Sequence, residues 1–152
     1  MVNARIQDLS YSGAQCVQAA RQLLGSSAGQ PQLACYLLHV ALECLLKVRI
    51  MRIRGTVTLE ALRKAIREED FDRLFSGREG HRLDLLAENA SLKRVLTSNR
   101  AQNLLDGPTW ARMCSGLRPY SLRYGVERAS RQMAEQELTL GESLAKILSA
   151  DT

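Results

Sequence analysis

The chain has 152 residues, of which 45% are hydrophobic and 24% are charged, a composition typical of one globular domain and not of a disordered chain. It contains no uncharged apolar run approaching about 20 residues, the length that crosses a bilayer, and its first residues hold no apolar signal-peptide core. We therefore expect a single cytoplasmic domain over residues 1–152 with no membrane partner. The net charge of +5 weakly favours an anionic partner.

Helix-forming residues dominate the composition. Leu and Ala occur 25 and 17 times, whereas the β-branched residues Val and Ile occur 7 and 5 times. Leu and Ala favour helices, and β-branched residues favour strands. The chain therefore predicts an all-α fold, a single up-and-down bundle of four to five main helices.

The first two predicted helices run over about 12–24 and 31–54. A Gly-, Ser- and Pro-containing stretch separates them, with Pro31 suited to the first turn of the second helix. Apolar residues cover most of the circumference of that second helix, which predicts a central position against two or more neighbours. A narrow polar seam remains, formed by His39, Glu43 and Lys47.

Shorter predicted elements follow in chain order. They are a helix over 58–69 capped by Thr58 or Thr56, a loop over 71–80, a helix over 81–90 and a broken helix over 91–106. Gly107-Pro108 and the 116–119 segment are predicted breaks. A last long helix is expected over 125–150, with Val126, Met133 and Leu140 on its buried face and Gly141 as a local interruption.

The four cysteines, Cys16, Cys35, Cys44 and Cys114, include no CxxC pair and no zinc-finger spacing to histidine. We expect buried, reduced thiols, and neither a structural metal nor another cofactor.

Two segments resemble the HEPN family (higher eukaryotes and prokaryotes nucleotide-binding domains). The first is YLLHVALECLLK over 36–47, in which a His is followed by an Ala-x-Glu-x-x-Leu-Lys stretch. The second is GHRLDLL over 80–86. The stretch from Trp110 to Arg123-Tyr124 is similar to the ending of some short bacterial members. The resemblance implies a helical bundle, usually a homodimer, and many members are metal-independent RNA-cleaving toxins or defence effectors.

Catalysis in that family rests on an Arg and a His that are separated by four to six residues. No Arg stands at that spacing before His39 or His81, and the last long helix contains no His. The absent motif argues against catalysis by the family mechanism.

Both histidines have two readings. His39 and Glu43 are i, i+4 neighbours that form either an acid–base pair or a buried polar seam fixing helix register, and we favour the seam. His81, beside Gly80, is expected to cap a helix or to bond between helices in preference to acting in catalysis.

A basic and aromatic segment is the most suggestive functional feature. Arginines contact phosphates and aromatic rings stack on unpaired bases, so the segment favours single-stranded nucleic acid. Its candidate binding residues are Arg112, Arg118, Arg123, Arg128, Arg131, Trp110, Tyr120 and Tyr124. A second cluster, Arg49, Arg52 and Arg54, extends this surface if the two lie close together.

We therefore expect a non-catalytic HEPN-like module that dimerises and binds RNA, a nucleotide or a partner protein, for example of the nucleotidyltransferase type. The resemblance places such a role in a toxin–antitoxin or phage-defence system. One alternative is a divergent metal-independent endoribonuclease, which needs His39 or His81 near Arg123 or Arg128. A second alternative is an assembly or adaptor protein.

Overall fold

The computed structural model describes residues 3–26, 29–75, 79–98 and 101–150. These residues form α-helices, two 3-10 turns and no strand, which confirms the all-α fold. The α-helices are α1 (Ile6–Gly25), α2 (Pro31–Ile53), α3 (Leu59–Ala65), α4 (Glu68–Phe75), α5 (Leu83–Asn89), α6 (Leu92–Ser98), α7 (Pro108–Met113), α8 (Tyr120–Arg123) and α9 (Arg131–Ala150). Helices α1, α2 and α9 are long. The short helices α3–α8 take the place of the further main helices that were expected.

Helix α2 is the central element, as its nearly continuous apolar circumference predicts. It packs against α1 and α9, and also against α5 and α8. Leu38, Leu42 and Leu46 are at most 1% exposed. Pro31 stands in its first turn, and Gly55 follows its end with a left-handed φ of +67°.

Glycines allow two helices to approach α2 closely. A Cβ added at Gly13 of α1 would lie 2.9 Å from Leu45 Cγ and 3.3 Å from the Ala41 carbonyl oxygen. A Cβ at Gly141 of α9 would lie 3.1 Å from Leu38 Cδ2. Gly141 therefore marks a packing contact with α2, and α9 continues through it without the expected interruption.

The N-terminal boundary differs from the prediction because of a tertiary contact. Helix α1 begins at Ile6, six residues before the predicted start, and the Ile6 amide donates to the Val57 carbonyl oxygen at 3.0 Å. Arg5 and Thr58 also form an isolated antiparallel bridge. Thr58 is the cap of α3, since its side chain accepts a hydrogen bond from the Ala61 amide at 3.1 Å.

The predicted loop over 71–80 is wrong for its first half. Residues 71–75 belong to α4, where Phe71 and Leu74 are buried and the rings of Phe71 and Phe75 stack at 5.2 Å. Their i, i+3, i+4 spacing is the apolar pattern of a short helix. Residues 76–78 lie outside the described residues.

The start of the last helix was also predicted too early. Helix α9 begins at Arg131. Residues 125–130 form an irregular connection whose first residue, Gly125, has a φ of +74°. Val126, predicted to be buried, is 79% exposed. No helix within the described ranges combines the length and apolar character that crossing a membrane requires.

Candidate functional site

His81 reaches the surface of α2 from a 3-10 turn that packs against α4. The turn spans Glu79–His81, and its middle residue, Gly80, lies against the end of α4. A Cβ at Gly80 would lie 3.3 Å from the Leu74 carbonyl oxygen. Glycine therefore allows the backbone approach that places the His81 ring beside α2.

Glu43 of α2 orients that ring. His81 Nδ1 lies 3.0 Å from each Glu43 carboxylate oxygen, and Lys47 Nζ donates to Glu43 Oε1 at 2.7 Å. A carboxylate only accepts hydrogen bonds, so Nδ1 carries a proton, and in the neutral ring Nε2 carries the lone pair. No described residue bonds to Nε2, and the His81 side chain is 33% exposed.

The charge of Glu43 is stabilised despite its burial. Burial alone would raise the pKa of Glu43, but the hydrogen bond from His81 and the charge and hydrogen bond of Lys47 outweigh it. The pKa of Glu43 therefore lies below its ordinary value. At neutral pH this carboxylate is ionised, which is the state that holds the Nδ1 proton of His81.

His39 supports the backbone of His81 and does not pair with Glu43 through a hydrogen bond. It is fully buried, and its Nε2 lies 2.8 Å from the His81 carbonyl oxygen, so Nε2 is the donor. Burial lowers the pKa of His39, which keeps the ring neutral with an unpartnered, buried Nδ1. A sealed side chain cannot contact a substrate, so His39 is removed from the catalytic candidates.

Helix α8 brings aromatic and basic groups to the same place. The Tyr120 ring meets the His81 ring edge-on, with centroids 5.5 Å apart and planes at 89°. Arg123 lies one turn further along α8, with its guanidinium carbon 5.6 Å from the centroid of the Tyr124 ring. Arg128, further along the chain, is also exposed. We name Tyr120, Arg123, Tyr124 and Arg128 the α8 surface.

A groove of about 600 Å³ borders the α8 surface. Its lining includes Arg123 and Arg128 together with Leu33 and Tyr36 of α2. Gln32 Nε2 donates to the Leu122 carbonyl oxygen at 2.7 Å and fixes α8 against the start of α2.

Two predicted nucleic-acid contacts lie in the interior instead. Arg118 is 1% exposed and Trp110 is 8% exposed. Arg118 Nη1 donates to Glu137 Oε1 at 2.6 Å, and its Nε donates to Glu127 Oε1 at 3.0 Å. Neither Arg118 nor Trp110 is available to a phosphate or an unpaired base, because other groups of the protein already surround them.

Arg112 and Arg131 are also engaged within the chain. Arg112 Nε donates to Glu137 Oε2 at 2.9 Å. Arg112 and Arg118 therefore share the Glu137 carboxylate, and Arg118 also binds Glu127. Arg131 donates to the Leu24 carbonyl oxygen at 2.8 Å and to Glu135 at 3.0 Å. We name Arg112, Arg118, Glu127 and Glu137 the buried network.

Hydrogen bonds within the buried network favour the charged forms of Arg118 and Glu127. Burial alone would lower the pKa of Arg118, but hydrogen bonds and charges from Glu127 and Glu137 raise it further than burial lowers it. The hydrogen bond from Arg118 holds the pKa of Glu127 below its ordinary value. Glu137 was not among the predicted site residues, although its place between Ala134 and Gly141 on the buried face of α9 signals a buried partner.

The second arginine cluster does not extend the α8 surface. Gln32, near the start of α2, contacts the end of α8, whereas Arg52 lies twenty residues further along the helix. A rise of about 1.5 Å per residue separates these positions by about 30 Å. Arg49 has a structural contact at that far end, where its Nε donates to the Ala90 carbonyl oxygen at 2.9 Å.

The thiols and the acidic residues form no metal centre in the described part of the chain, where no three His, Cys, Asp or Glu side chains cluster suitably. All four cysteines are free. Burial raises the pKa of Cys35 and of Cys114 to about 12 and that of Cys44 to about 11. No family model, curated protein or solved structure matches the chain.

Proposed function

We propose that this chain is a HEPN-like helical module that binds single-stranded RNA through the α8 surface. The carrying observation is the exposed arrangement of Tyr120, Arg123 and Tyr124 within five consecutive residues, with the Arg123 guanidinium against the Tyr124 ring. Tyr124 is 70% exposed and Tyr120 is 39% exposed. Arginine neutralises phosphate, and exposed aromatic rings stack on bases of any sequence.

The neighbouring groove supports the same proposal. Arg128, which forms no ion pair with a described residue, adds a second cation to its lining, and Leu33, which is 43% exposed, adds apolar surface. A groove lined by both cations and apolar side chains suits a chain with an anionic backbone and flat bases. Leu117 and Val126, 69% and 79% exposed, add apolar surface around α8.

The test is a titration of labelled single-stranded RNA in EDTA at about 50 mM and about 200 mM salt. We expect affinity that falls steeply with salt. Arg123→Ala should reduce the salt slope by about 0.7, the contribution of one phosphate contact on a single strand. Tyr124→Ala should weaken binding by about 1–3 kcal/mol, the value of one stacked base.

Matched controls lie on other parts of the molecule. Arg67→Ala removes an exposed arginine between α3 and α4, and Tyr11→Ala removes a tyrosine of α1 that is 68% exposed. Both variants should bind RNA as the unchanged protein does. Wild-type affinity no better than about 10⁻⁴–10⁻⁶ M, the non-specific level, would favour the adaptor function, with a protein partner such as a nucleotidyltransferase.

We also propose that the module forms a homodimer, because twofold dimers are the commonest assemblies and apolar side chains such as Val126 stand exposed beside α8. Sedimentation at increasing protein concentration measures this directly. A monomer throughout the concentration series would contradict it without affecting the RNA titration.

A second candidate function is metal-independent RNA cleavage, and the position of His81 favours it. Its ring touches Tyr120 of the α8 surface, its Nδ1 is held by Glu43, and no described residue occupies Nε2. An imidazole oriented by a carboxylate, with the other nitrogen open, is the arrangement of a general base. His81 would be the catalytic residue, whereas Glu43 and His39 would be positioning residues.

The chemistry uses a nucleophile that RNA itself supplies. His81 Nε2 would take the proton of a 2′-hydroxyl, and that oxygen would attack the adjacent phosphorus while Arg123 stabilises the phosphate charge. The bond to the 5′-oxygen breaks, and that oxygen takes a proton from water. The products are a 2′,3′-cyclic phosphate and a free 5′-hydroxyl.

Incubation of end-labelled RNA in EDTA tests this candidate. His81→Ala should abolish cleavage without abolishing RNA binding, and Glu43→Gln should lower the cleavage rate. An RNA carrying a 2′-deoxy residue at the cut site serves as the substrate control and should remain intact. RNA that stays intact with the unchanged protein, or equal cleavage by His81→Ala, would exclude this function and leave the binding module.

A further inference from the structure

His39 is enclosed beneath the turn that carries His81. Its side chain is 0% exposed, and its Nε2 donates to the His81 carbonyl oxygen at 2.8 Å. Its Nδ1 is also enclosed and has no hydrogen-bond partner among the described residues. One ring nitrogen of His39 therefore holds the 79–81 turn, while the other nitrogen faces no acceptor for a proton.

A second proton on His39 is costly in this closed arrangement. The ring would still donate to the His81 carbonyl oxygen through Nε2, but a proton on Nδ1 would have no acceptor and a positive charge would lie in the core. Burial accordingly lowers the pKa of His39. Water at Nδ1 would remove both costs. A state in which His39 is open to solvent therefore binds the proton more readily than the closed state does.

The charged groups around His39 do not replace the missing acceptor. Glu43, one turn further along α2, attracts a charge on the ring, whereas Arg118 and His81 repel it. The Glu43 carboxylate already binds His81 and Lys47. The pKa of Glu43 is lowered and that of Arg118 is raised, so both keep their charges while a histidine titrates.

The other elements packed against α2 offer no second titrating group at this position. The buried residues of α1 and α5 are glycine or apolar residues. Helix α9 contributes Glu137, whose carboxylate Arg118 binds. Helix α8 contributes Tyr120, which contacts the His81 ring and is 39% exposed. The proton that distinguishes the closed state from an open one is therefore that of His39.

The 79–81 turn is the element best suited to open. It is a single 3-10 turn of three residues, and the side chain of His81 is 33% exposed. The long helices α1 and α9 instead contact α2 through buried apolar side chains along their length. Segments with few buried apolar contacts open at a low free energy. Departure of the turn would uncover His39 Nε2 first, because the His81 carbonyl oxygen lies directly on it.

We propose that a proton on His39 releases the 79–81 turn from α2 and thereby separates the His81 ring from Glu43 and Tyr120. A proton added to His81 itself acts in the opposite direction, because it goes to Nε2 and leaves the Nδ1–H on the Glu43 carboxylate. Below pH 6.5, uptake of the His39 proton raises the ratio of open to closed molecules by up to about tenfold per pH unit, until His39 is protonated in the closed state as well.

This release regulates the position of His81 at the α8 surface, where its ring meets Tyr120. The consequence for RNA rests on the proposed function, whereas the coupling of the two histidines is measured without RNA. A protein that binds no RNA can still show the coupling. A protein without the coupling can still bind RNA through Arg123 and Tyr124.

Nuclear magnetic resonance measures the coupling directly, because the chain contains two histidines and one tryptophan. The full chain is titrated downward from about pH 8 until the His39 Cε1–H signal has shifted. We expect the midpoint of that shift below pH 6.5. The nuclear Overhauser contact between the His81 and Tyr120 rings should disappear with the same midpoint, while the Trp110 signal keeps its folded position.

Two variants assign the release to His39. The side-chain amide of His39→Gln can donate to the His81 carbonyl oxygen and takes up no proton. In His39→Gln the ring contact of His81 with Tyr120 should therefore persist at the pH where the unchanged protein has lost it. Gly80→Ala places a Cβ 3.3 Å from the Leu74 carbonyl oxygen and loosens the turn, so the His39 midpoint should rise toward 6.5.

Gly107→Ala is the matched control for Gly80→Ala, because a Cβ at Gly107 meets nothing within 4 Å. It should leave the His39 midpoint unchanged. If His39→Gln does not fold, the midpoints of the unchanged protein and of Gly80→Ala still decide the matter.

Four results would overturn the proposal. The ring contact could survive the titration of His39, or it could be lost in His39→Gln at the same pH as in the unchanged protein. Gly80→Ala could leave the His39 midpoint where it is. The Trp110 signal could move to its unfolded position at the same midpoint, which would show global unfolding in place of a local release.

Discussion

The buried network and the Glu43–His81 pair are both built on a glutamate of a long helix that binds a nitrogen-bearing side chain. In the first the basic side chain Arg118 is enclosed, whereas in the second His81 remains partly exposed. In the buried network, Glu137 of α9 is 0% exposed, and Arg118 and Arg112 bind its carboxylate. At the other region, Glu43 of α2 holds one nitrogen of His81, and the other nitrogen has no described partner.

The difference shows which polar clusters are available for function. Arg118 directs its nitrogens at Glu127 and Glu137 and is enclosed, so this cluster holds the 118–127 segment against α9. His81 is held from one side while a third of its side chain remains exposed. Groups whose hydrogen bonds are all used inside the protein contribute to structure, whereas a group fixed at one atom and open at another can meet a ligand.

The largest expected effect is at the buried network. Arg118→Met should lower the free energy of unfolding by about 3–5 kcal/mol, because it removes the guanidinium partner of Glu127 and one of the two guanidinium partners of the buried Glu137. Arg123→Met on the α8 surface should change it by no more than about 0.5 kcal/mol. Urea unfolding measures both variants. Equal stability of the two would contradict the structural role assigned to Arg118.

A smaller loss is expected at the support of the histidine. His39→Leu fills the same core position with an apolar side chain but removes the donor to the His81 carbonyl oxygen, so we expect the free energy of unfolding to fall by about 1–3 kcal/mol. His81→Ala should cost less, because His81 is partly exposed. Urea unfolding compares the pair, and a greater loss in His81→Ala would contradict the assigned roles.

The same groups predict a stability that falls in two steps as pH decreases. Burial lowers the pKa of His39 below 6.5, so its contribution is present above that pH and is lost as pH falls through its folded pKa. The pKa values of Glu43 and Glu127 are lowered from 4.5, so their contributions are lost at lower pH. Urea unfolding across this range measures both steps.

Variants separate the two steps. His39→Leu should remove the loss that begins below pH 6.5, and Glu43→Gln should reduce the loss below pH 4.5. A stability that stays constant from neutral pH to below 4.5 would show that the folded pKa values are not lowered.

The smallest effect concerns the rate at which thiols react. Thiolates are the reactive form, and burial together with the Glu137 carboxylate raises the pKa of Cys35 to about 12. Native protein should therefore react slowly with a disulfide reagent at about pH 8, near the ordinary thiol pKa, and all four thiols should react after unfolding. Rapid reaction of Cys35 in the native protein would contradict its burial.

Composition and periodicity determined the helical class, the central place of α2 and the break at Gly55. They did so because helix propensity, an apolar circumference and a glycine stop act over a few neighbouring residues. The start of α1 at Ile6 combines a local contact, in which the Arg5 amide donates to Asp8, with a hydrogen bond to Val57 more than fifty residues away, and periodicity cannot predict the second of these.

The polar seam could be predicted from the sequence, but its partners could not. The sequence placed His39, Glu43 and Lys47 on one stripe of a helix by their spacing, and all three lie on that stripe. Which of them meets His81, and through which atom, depends on the turn at Gly80 that the sequence does not orient. The sequence likewise grouped Arg118 with Arg123 because they are near each other along the chain. Only the tertiary structure buried Arg118 against Glu137 of α9 and left Arg123 at the surface, because burial is decided by segments that are distant in sequence and adjacent in space.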